Sequence, residues 1–237
     1  MDRRYFKGIA SVLYFICFVT ACGLLANTFE IIILSNRVKM ISDAVLVISG
    51  YTASFFYCYT LDDRKANNFM KTFLFFLFGF YIIMLIDYTL IDDNFGRNIF
   101  NFLSWDKNAF SKYIKESTNI IPFATVKLFI KGYFHNSLTF WDTVLNLVGN
   151  FLVLMPVTFF TAVFFNKTRA FVKMTAVVLI TSVTIELLQF LFLTGASDID
   201  DVILNISGAM IFYRLINTKK LRKVISRMTF GVWENEE

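Results

Sequence analysis

The sequence predicts an all-α fold, a polytopic membrane helical bundle with about six transmembrane helices. The first observation is composition: of 237 residues, 57% are hydrophobic, 30 are phenylalanine and only 2 are proline. The second is a mean hydropathy of +0.60, which leaves too little polar surface to cover a water-soluble core. The third is the recurrence of apolar stretches about 20 residues long, the length that spans a bilayer as a helix.

Six stretches fit a membrane span. They cover residues 9–29, 44–61, 72–91, 143–165, 170–193 and 202–216. The last stretch is short, so we expect it to be tilted or to begin below the membrane surface.

The distribution of basic residues predicts that both termini are cytoplasmic. In that orientation, 15 of the 23 basic residues lie in inner segments. These are Arg3, Arg4, Lys7, Arg64, Lys65, Lys71, Lys167, Arg169, Lys173, Arg214, Lys219, Lys220, Arg222, Lys223 and Arg227. The long loop over 92–142 is then extracytoplasmic, and its mixture of aromatic residues and lysines predicts short interfacial helices.

The first apolar run also admits a second interpretation. Its basic start resembles a secretory signal, and residues 19–22 (VTAC) resemble a lipoprotein processing box. Because the apolar run continues to Leu34, we predict an uncleaved first helix. The three cysteines lie in apolar runs without a CxxC pair, which predicts buried thiols rather than disulfides or a zinc site.

Polar side chains occur in the last three predicted spans, where lipid disfavours them. They are Asn146, Asn150, Ser182, Glu186, Gln189, Asp201 and Asn205. The rise of ~1.5 Å per residue places them near the outer ends of their helices. We therefore predict an outward-facing polar site that binds a ligand. Helix packing through amide side chains is the alternative interpretation.

The stretch SDIDDVILN, residues 197–205, has two interpretations. Ser197 followed by Asp200 has the form of a capping box, which predicts only the start of a helix. Alternatively, Glu186, Asp198 and Asp201 are candidate ligands for a divalent cation. The single histidine, His135, excludes a multi-histidine metal site.

Four motifs in order resemble the VanZ-like membrane protein family. They are NIIPF (119–123), NLVGNFLVLMP (146–156), IELLQFL (185–191) and DIDDVILNISG (198–208). The resemblance covers about residues 72–216, with 1–71 as two additional transmembrane helices and 217–237 as a basic cytoplasmic tail. It implies ligand-binding roles for Asn119, Asn146, Asn150, Glu186, Gln189, Asp198, Asp201 and Asn205.

One departure from the family pattern concerns a cation. The family has a Gly-Arg pair before the aspartates, and this sequence has Gly195-Ala196. If that arginine contacts an anionic ligand, the contact is either lost here or supplied by Lys127 or Lys131.

The resemblance implies a bacterial plasma-membrane protein whose partners are membrane lipids and a lipid-linked cell-wall precursor or lipoglycopeptide. It implies a contribution to teicoplanin resistance through a cell-envelope role. No nucleic-acid partner is expected. The sequence contains no established catalytic motif, which favours a non-catalytic protein. A metal-assisted enzyme acting on a phosphate-containing lipid, and a lipid transporter, remain alternatives.

Overall fold

The computed structural model describes residues 3–29, 31–92, 97–104, 106–165 and 168–233, so Lys167 lies outside the described residues. Their α-helices are α1 Arg3–Thr28, α2 Asn36–Cys58, α3 Asp63–Ile86, α4 Lys107–Glu116, α5 Ala124–Phe134, α6 Phe140–Val153, α7 Met155–Phe164, α8 Phe171–Phe192, α9 Ile199–Ile216 and α10 Lys219–Met228. A π-helical turn, Asp87–Ile91, continues α3, and a 3-10 helix covers Ile99–Ser104. The all-α prediction is confirmed.

Five helical segments among the described residues are long and apolar enough to cross a membrane. They are Arg3–Thr28, Arg37–Cys58, Asp63–Ile91, Phe140–Phe164 and Phe171–Phe192. They correspond to the first five predicted spans. Helix α9, the sixth predicted span, is not among these five; its 18 residues include three charged ones, Asp200, Asp201 and Arg214.

The chain divides into two compact units, residues 1–77 with 219–237 and residues 78–218. In the first unit α1 packs along α2, where the Tyr14 hydroxyl and Ser54 Oγ lie 3.0 Å apart. The C-terminal segment belongs to the same unit, since Asn67 Nδ2 donates to the Phe230 carbonyl at 2.8 Å. The sequence-based division at residues 71 and 217 stays a prediction.

The fourth predicted span is interrupted in the second unit. Helix α6 begins with a capping box, in which Thr139 Oγ1 accepts from the Asp142 amide at 3.1 Å. It ends at Val153, and α7 begins after the fully buried Leu154 with Pro156 in its first turn. Proline lacks an amide hydrogen and fits the first turn of a helix, so it marks a new helix start here.

The loop over 92–142, called the outer loop after its predicted orientation, contains short helices as the sequence predicts. It also contributes one strand of a strand pair that the sequence does not predict. Strand β1, Thr118–Asn119, pairs in parallel with β2, Ser197–Asp198. The pairing joins the loop to the turn between α8 and α9. Helix α5 follows Pro122, and Phe123 adopts a left-handed conformation at its start.

Helix α9 packs against α6, α7 and α8. It approaches α6 closely at Gly208, where a Cβ atom would lie 1.7 Å from the Phe151 carbonyl oxygen. Such a contact with backbone cannot be relieved by a side-chain rotation, so the glycine sets the distance between the two helices.

We predict that Gly208→Ala lowers the stability of the protein, because α6 and α9 must separate; overpacking of this kind costs about 1–3 kcal/mol. The measurement is thermal unfolding of the purified chain in detergent. Gly149→Ala on α6 is the matched control, since a Cβ atom there meets nothing within 4 Å. An equal effect of the two substitutions would contradict the close approach.

Candidate functional site

The site is built on the turn that connects α8 to α9. Leu193 and Gly195 have positive φ angles of 51° and 60°, which reverse the chain after α8. Thr194 is fully buried between them, and its Oγ1 accepts from the Asn98 amide at 2.6 Å. The segment before the 3-10 helix therefore holds the turn in place.

Two acidic side chains fix the path from this turn into α9. Glu186 Oε2 accepts from the Asp198 amide at 2.7 Å, and Glu186 is only 7% exposed. Asp198 is the N-cap of α9, and its Oδ1 accepts from the Asp200 amide at 2.8 Å. The predicted capping box of Ser197 with Asp200 is wrong, because Ser197 Oγ donates instead to the Glu186 carbonyl at 3.3 Å.

Asp200 caps a different helix from its own. Its Oδ2 accepts from the amides of Thr125 at 2.8 Å and Val126 at 3.1 Å, and its Oδ1 accepts from the Phe123 amide. These are the amides that the first turn of α5 leaves without partners in the helix. A carboxylate there also complements the helix dipole. Asp200 is 1% exposed, so α9 holds α5 through a buried carboxyl group.

Asn119 connects the loop to the same turn. Its Nδ2 donates to Asp198 Oδ1 at 2.9 Å and lies 3.1 Å from Thr125 Oγ1. Its Oδ1 accepts from the Ile121 amide at 3.0 Å. The structure thus brings together Asn119 and Asp198, two of the predicted site residues that lie 79 positions apart.

Further along α9, polar side chains of α6, α8 and α9 pair with each other. Asn150 Nδ2 on α6 donates to Asp201 Oδ1 on α9. Asn205 Nδ2, one turn further along α9, donates to Ser182 Oγ on α8 at 3.0 Å. Asp201 and Asn205 are both buried, and Ser182 is fully buried. The predicted convergence of the three helices is present in these pairs.

Two of the predicted site residues, Gln189 and Asn146, do not take part in these pairs. Gln189 Nε2 donates to the Thr89 carbonyl of the π-helical turn at 3.0 Å rather than to α6 or α9. The Asn146 Oδ1 atom is buried and accepts no hydrogen bond within the described residues. The same holds for Gln189 Oε1 and Asn205 Oδ1, so each of the three helices carries a buried carboxamide oxygen available to a donor.

The three carboxylates predicted as metal ligands do not assemble into an ion site. Within the described ranges, no group of three or more His, Cys, Asp or Glu side chains is placed to hold a metal ion. Glu186 binds the Asp198 amide, Asp198 caps α9 and Asp201 pairs with Asn150. All three acids thus make hydrogen bonds within the described residues, and a divalent cation at these acids stays a prediction.

Tyr113 is a site residue that the sequence did not indicate. Its hydroxyl donates to the carbonyls of Gln189 at 3.3 Å and Thr194 at 3.4 Å. Burial raises the pKa of Tyr113 to about 12, so the hydroxyl keeps its proton at neutral pH. The tyrosine thereby joins α4 to the end of α8.

Arg97 is the second residue that the sequence did not indicate. Its guanidinium lies directly over Gly195, where a Cβ atom would be 1.4 Å from Nη1. Lys127 and Lys131 are exposed on α5, so the cation that the structure places at Gly195 is neither predicted lysine. The signal in the sequence was the absence of the family's arginine after Gly195, which raised the question of whether another residue supplies the cation.

The fold and this buried polar cluster together define a multi-helix membrane protein. The family model described as VanZ/LLP1 matches residues 78–220, more than half of the chain, and the chain belongs to this family. Protein VanZ of Enterococcus faecium is 32% identical over 120 residues, which cover 48% of this chain and 65% of that protein. The chain thus matches less than two thirds of this relative. No solved structure matches.

We expect Asn150 and Asp201 to be energetically coupled, because Asn150 would lose its acceptor if Asp201 were replaced. Thermal unfolding of Asn150→Ala, Asp201→Ala and the double variant should show a coupling of about 0.5–2 kcal/mol. Asn68, which is exposed on α3, supplies the control pair with Asp201. Additive effects of Asn150→Ala and Asp201→Ala, as for the control pair, would contradict the hydrogen bond.

Proposed function

We propose that the protein binds a lipid-linked or lipidated cell-envelope ligand at the outer face of the bacterial plasma membrane, and thereby contributes to teicoplanin resistance. The observation that carries this proposal is the convergence of α6, α8 and α9 through Asn150–Asp201 and Asn205–Ser182. Similarity to Protein VanZ supports the connection with a glycopeptide antibiotic.

The buried carboxamide oxygens favour a ligand over helix packing alone. Asn146, Gln189 and Asn205 each carry an oxygen that accepts no hydrogen bond from the described residues. Burying such an acceptor without a partner costs about 1–3 kcal/mol. Hydroxyl or N–H groups of a sugar or peptide headgroup would satisfy these oxygens. Packing alone requires no such acceptors.

The orientation predicted from the basic residues supports an outer location. In that orientation the loop over 92–142 and the α8–α9 turn lie outside, together with the first turns of α6 and α9. Apolar side chains cover the outside of the helices, as Val148 and Leu152 on α6 show by their exposure. A ligand with a lipid chain can place its chain in the bilayer and its headgroup at the polar cluster.

Expression of the chain in a teicoplanin-susceptible bacterium is expected to raise the minimum inhibitory concentration of teicoplanin several-fold. Asp201→Asn and Glu186→Gln should each remove part of this increase. Each substitution weakens a hydrogen bond that holds the polar cluster together, with the Asp198 amide or with Asn150. A loss of about 1 kcal/mol corresponds to roughly a fivefold change in affinity.

Asp62→Asn is the matched control, because Asp62 is an exposed acid that pairs with Lys65 at 3.5 Å outside the polar cluster. Membrane levels of all variants are compared by immunoblot. A glycopeptide without an acyl chain tests whether the lipid portion matters. No change in teicoplanin susceptibility on expression, or complete loss with either conservative variant at normal protein level, would count against the proposal.

A further inference from the structure

The Arg97 guanidinium occupies the space that a side chain at residue 195 would fill. A Cβ atom on Gly195 would lie 1.4 Å from Arg97 Nη1 and 2.4 Å from its Cζ. Gly195 also has a φ of +60°, a conformation that L side chains rarely adopt. Both the conformation and the space therefore require glycine, and the space is filled by a guanidinium.

The Arg97 guanidinium has hydrogen-bonding capacity that the protein does not use. Its Nε and Nη1 atoms are buried, and they donate no hydrogen bond within the described part of the chain. The backbone of Arg97 is anchored separately, since its amide donates to the Asp92 carbonyl at 3.2 Å. A buried cationic donor without an acceptor is costly, unless a ligand supplies the acceptor.

The groups around Arg97 come from three elements. Glu186 on α8, Asp201 on α9 and Tyr113 on α4 are the titratable side chains near the guanidinium. Neither carboxylate accepts a hydrogen bond from Nε or Nη1. Glu186 and Asp201 instead use oxygens to accept from the Asp198 amide and Asn150. The two acids thus leave the Nε and Nη1 donors of Arg97 without an acceptor.

We propose that Arg97, seated over Gly195, is the oxyanion-binding residue of this site and holds the phosphate of a membrane-lipid headgroup. This inference rests on the proposed function and names the charged part of its ligand. A guanidinium presents adjacent N–H groups whose geometry matches the oxygens of a phosphate. The phosphodiester of a membrane lipid carries a single negative charge, which the guanidinium can neutralise.

Gly195 then determines whether the oxyanion can bind. A methyl group at this position would displace the guanidinium although Arg97 itself is retained. Both Gly195→Ala and Arg97→Gln should consequently weaken oxyanion binding. The first displaces the guanidinium, and the second removes it. Arg97→Lys keeps the charge but loses the paired donors, and an intermediate effect is expected.

The experiment measures the thermal unfolding midpoint of the purified full-length chain in detergent against increasing dihexanoylphosphatidylglycerol. Inorganic phosphate and dihexanoylglycerol, which lacks the phosphate, are titrated in parallel. Ligand that binds only the folded state raises the midpoint with its concentration. We expect the phospholipid to raise the midpoint of the wild type and dihexanoylglycerol to leave it unchanged. Arg97→Gln and Gly195→Ala should need at least about tenfold more phospholipid.

Lys127→Gln is the control, because this exposed lysine lies on the neighbouring helix α5, and it should respond as the wild type does. An equal response of the wild type to inorganic phosphate would support the oxyanion site and assign it to free phosphate. Equal phospholipid dependence of Arg97→Gln and the wild type, or no response of the wild type, would overturn the inference. A weaker response of Asp201→Asn alone would overturn the role of Arg97 while leaving the proposed ligand site intact.

Discussion

The arrangement of the loop over 92–142 depends on a buried carboxylate that caps a helix other than its own. Asp200 belongs to the first turn of α9, yet it accepts from the Phe123, Thr125 and Val126 amides at the start of α5. This contact fixes the outer loop to the last helix of the second unit. The β1–β2 pair and the Asn119–Asp198 hydrogen bond lie beside it and depend on the same register.

The acidic turn thus contains residues with a structural role and another residue with a candidate ligand-binding role. Asp198 and Asp200 are engaged by backbone amides and Asn119, as expected of groups that hold a fold. Asp201, one position further, faces Asn150 on α6 instead. The three acids within residues 198–201 therefore separate into two that build the turn and one that contributes to the polar cluster between the helices.

The sequence predicted the helices and the convergence of their polar faces because both follow from short-range periodicity. Asn150 with Asp201 shows this, since each lies on a polar stripe of its own helix. The contacts of Asp200 and Arg97 could not be predicted, because their partners lie far away in the sequence and no spacing rule connects them. The same reason explains why the capping-box interpretation of Ser197 with Asp200 is wrong: the Ser197 side chain contacts α8 and the Asp200 side chain contacts α5.

Hydrogen exchange at the start of α5 tests most directly whether Asp200 organises the outer loop. In Asp200→Ala we expect the protection of the Phe123, Thr125 and Val126 amides to fall roughly 100-fold, because charged hydrogen bonds worth about 3 kcal/mol together are lost. Asp106→Ala, which removes the corresponding cap of Ala109 on α4, should leave those three amides protected. Unchanged protection in Asp200→Ala would contradict the role of this carboxylate.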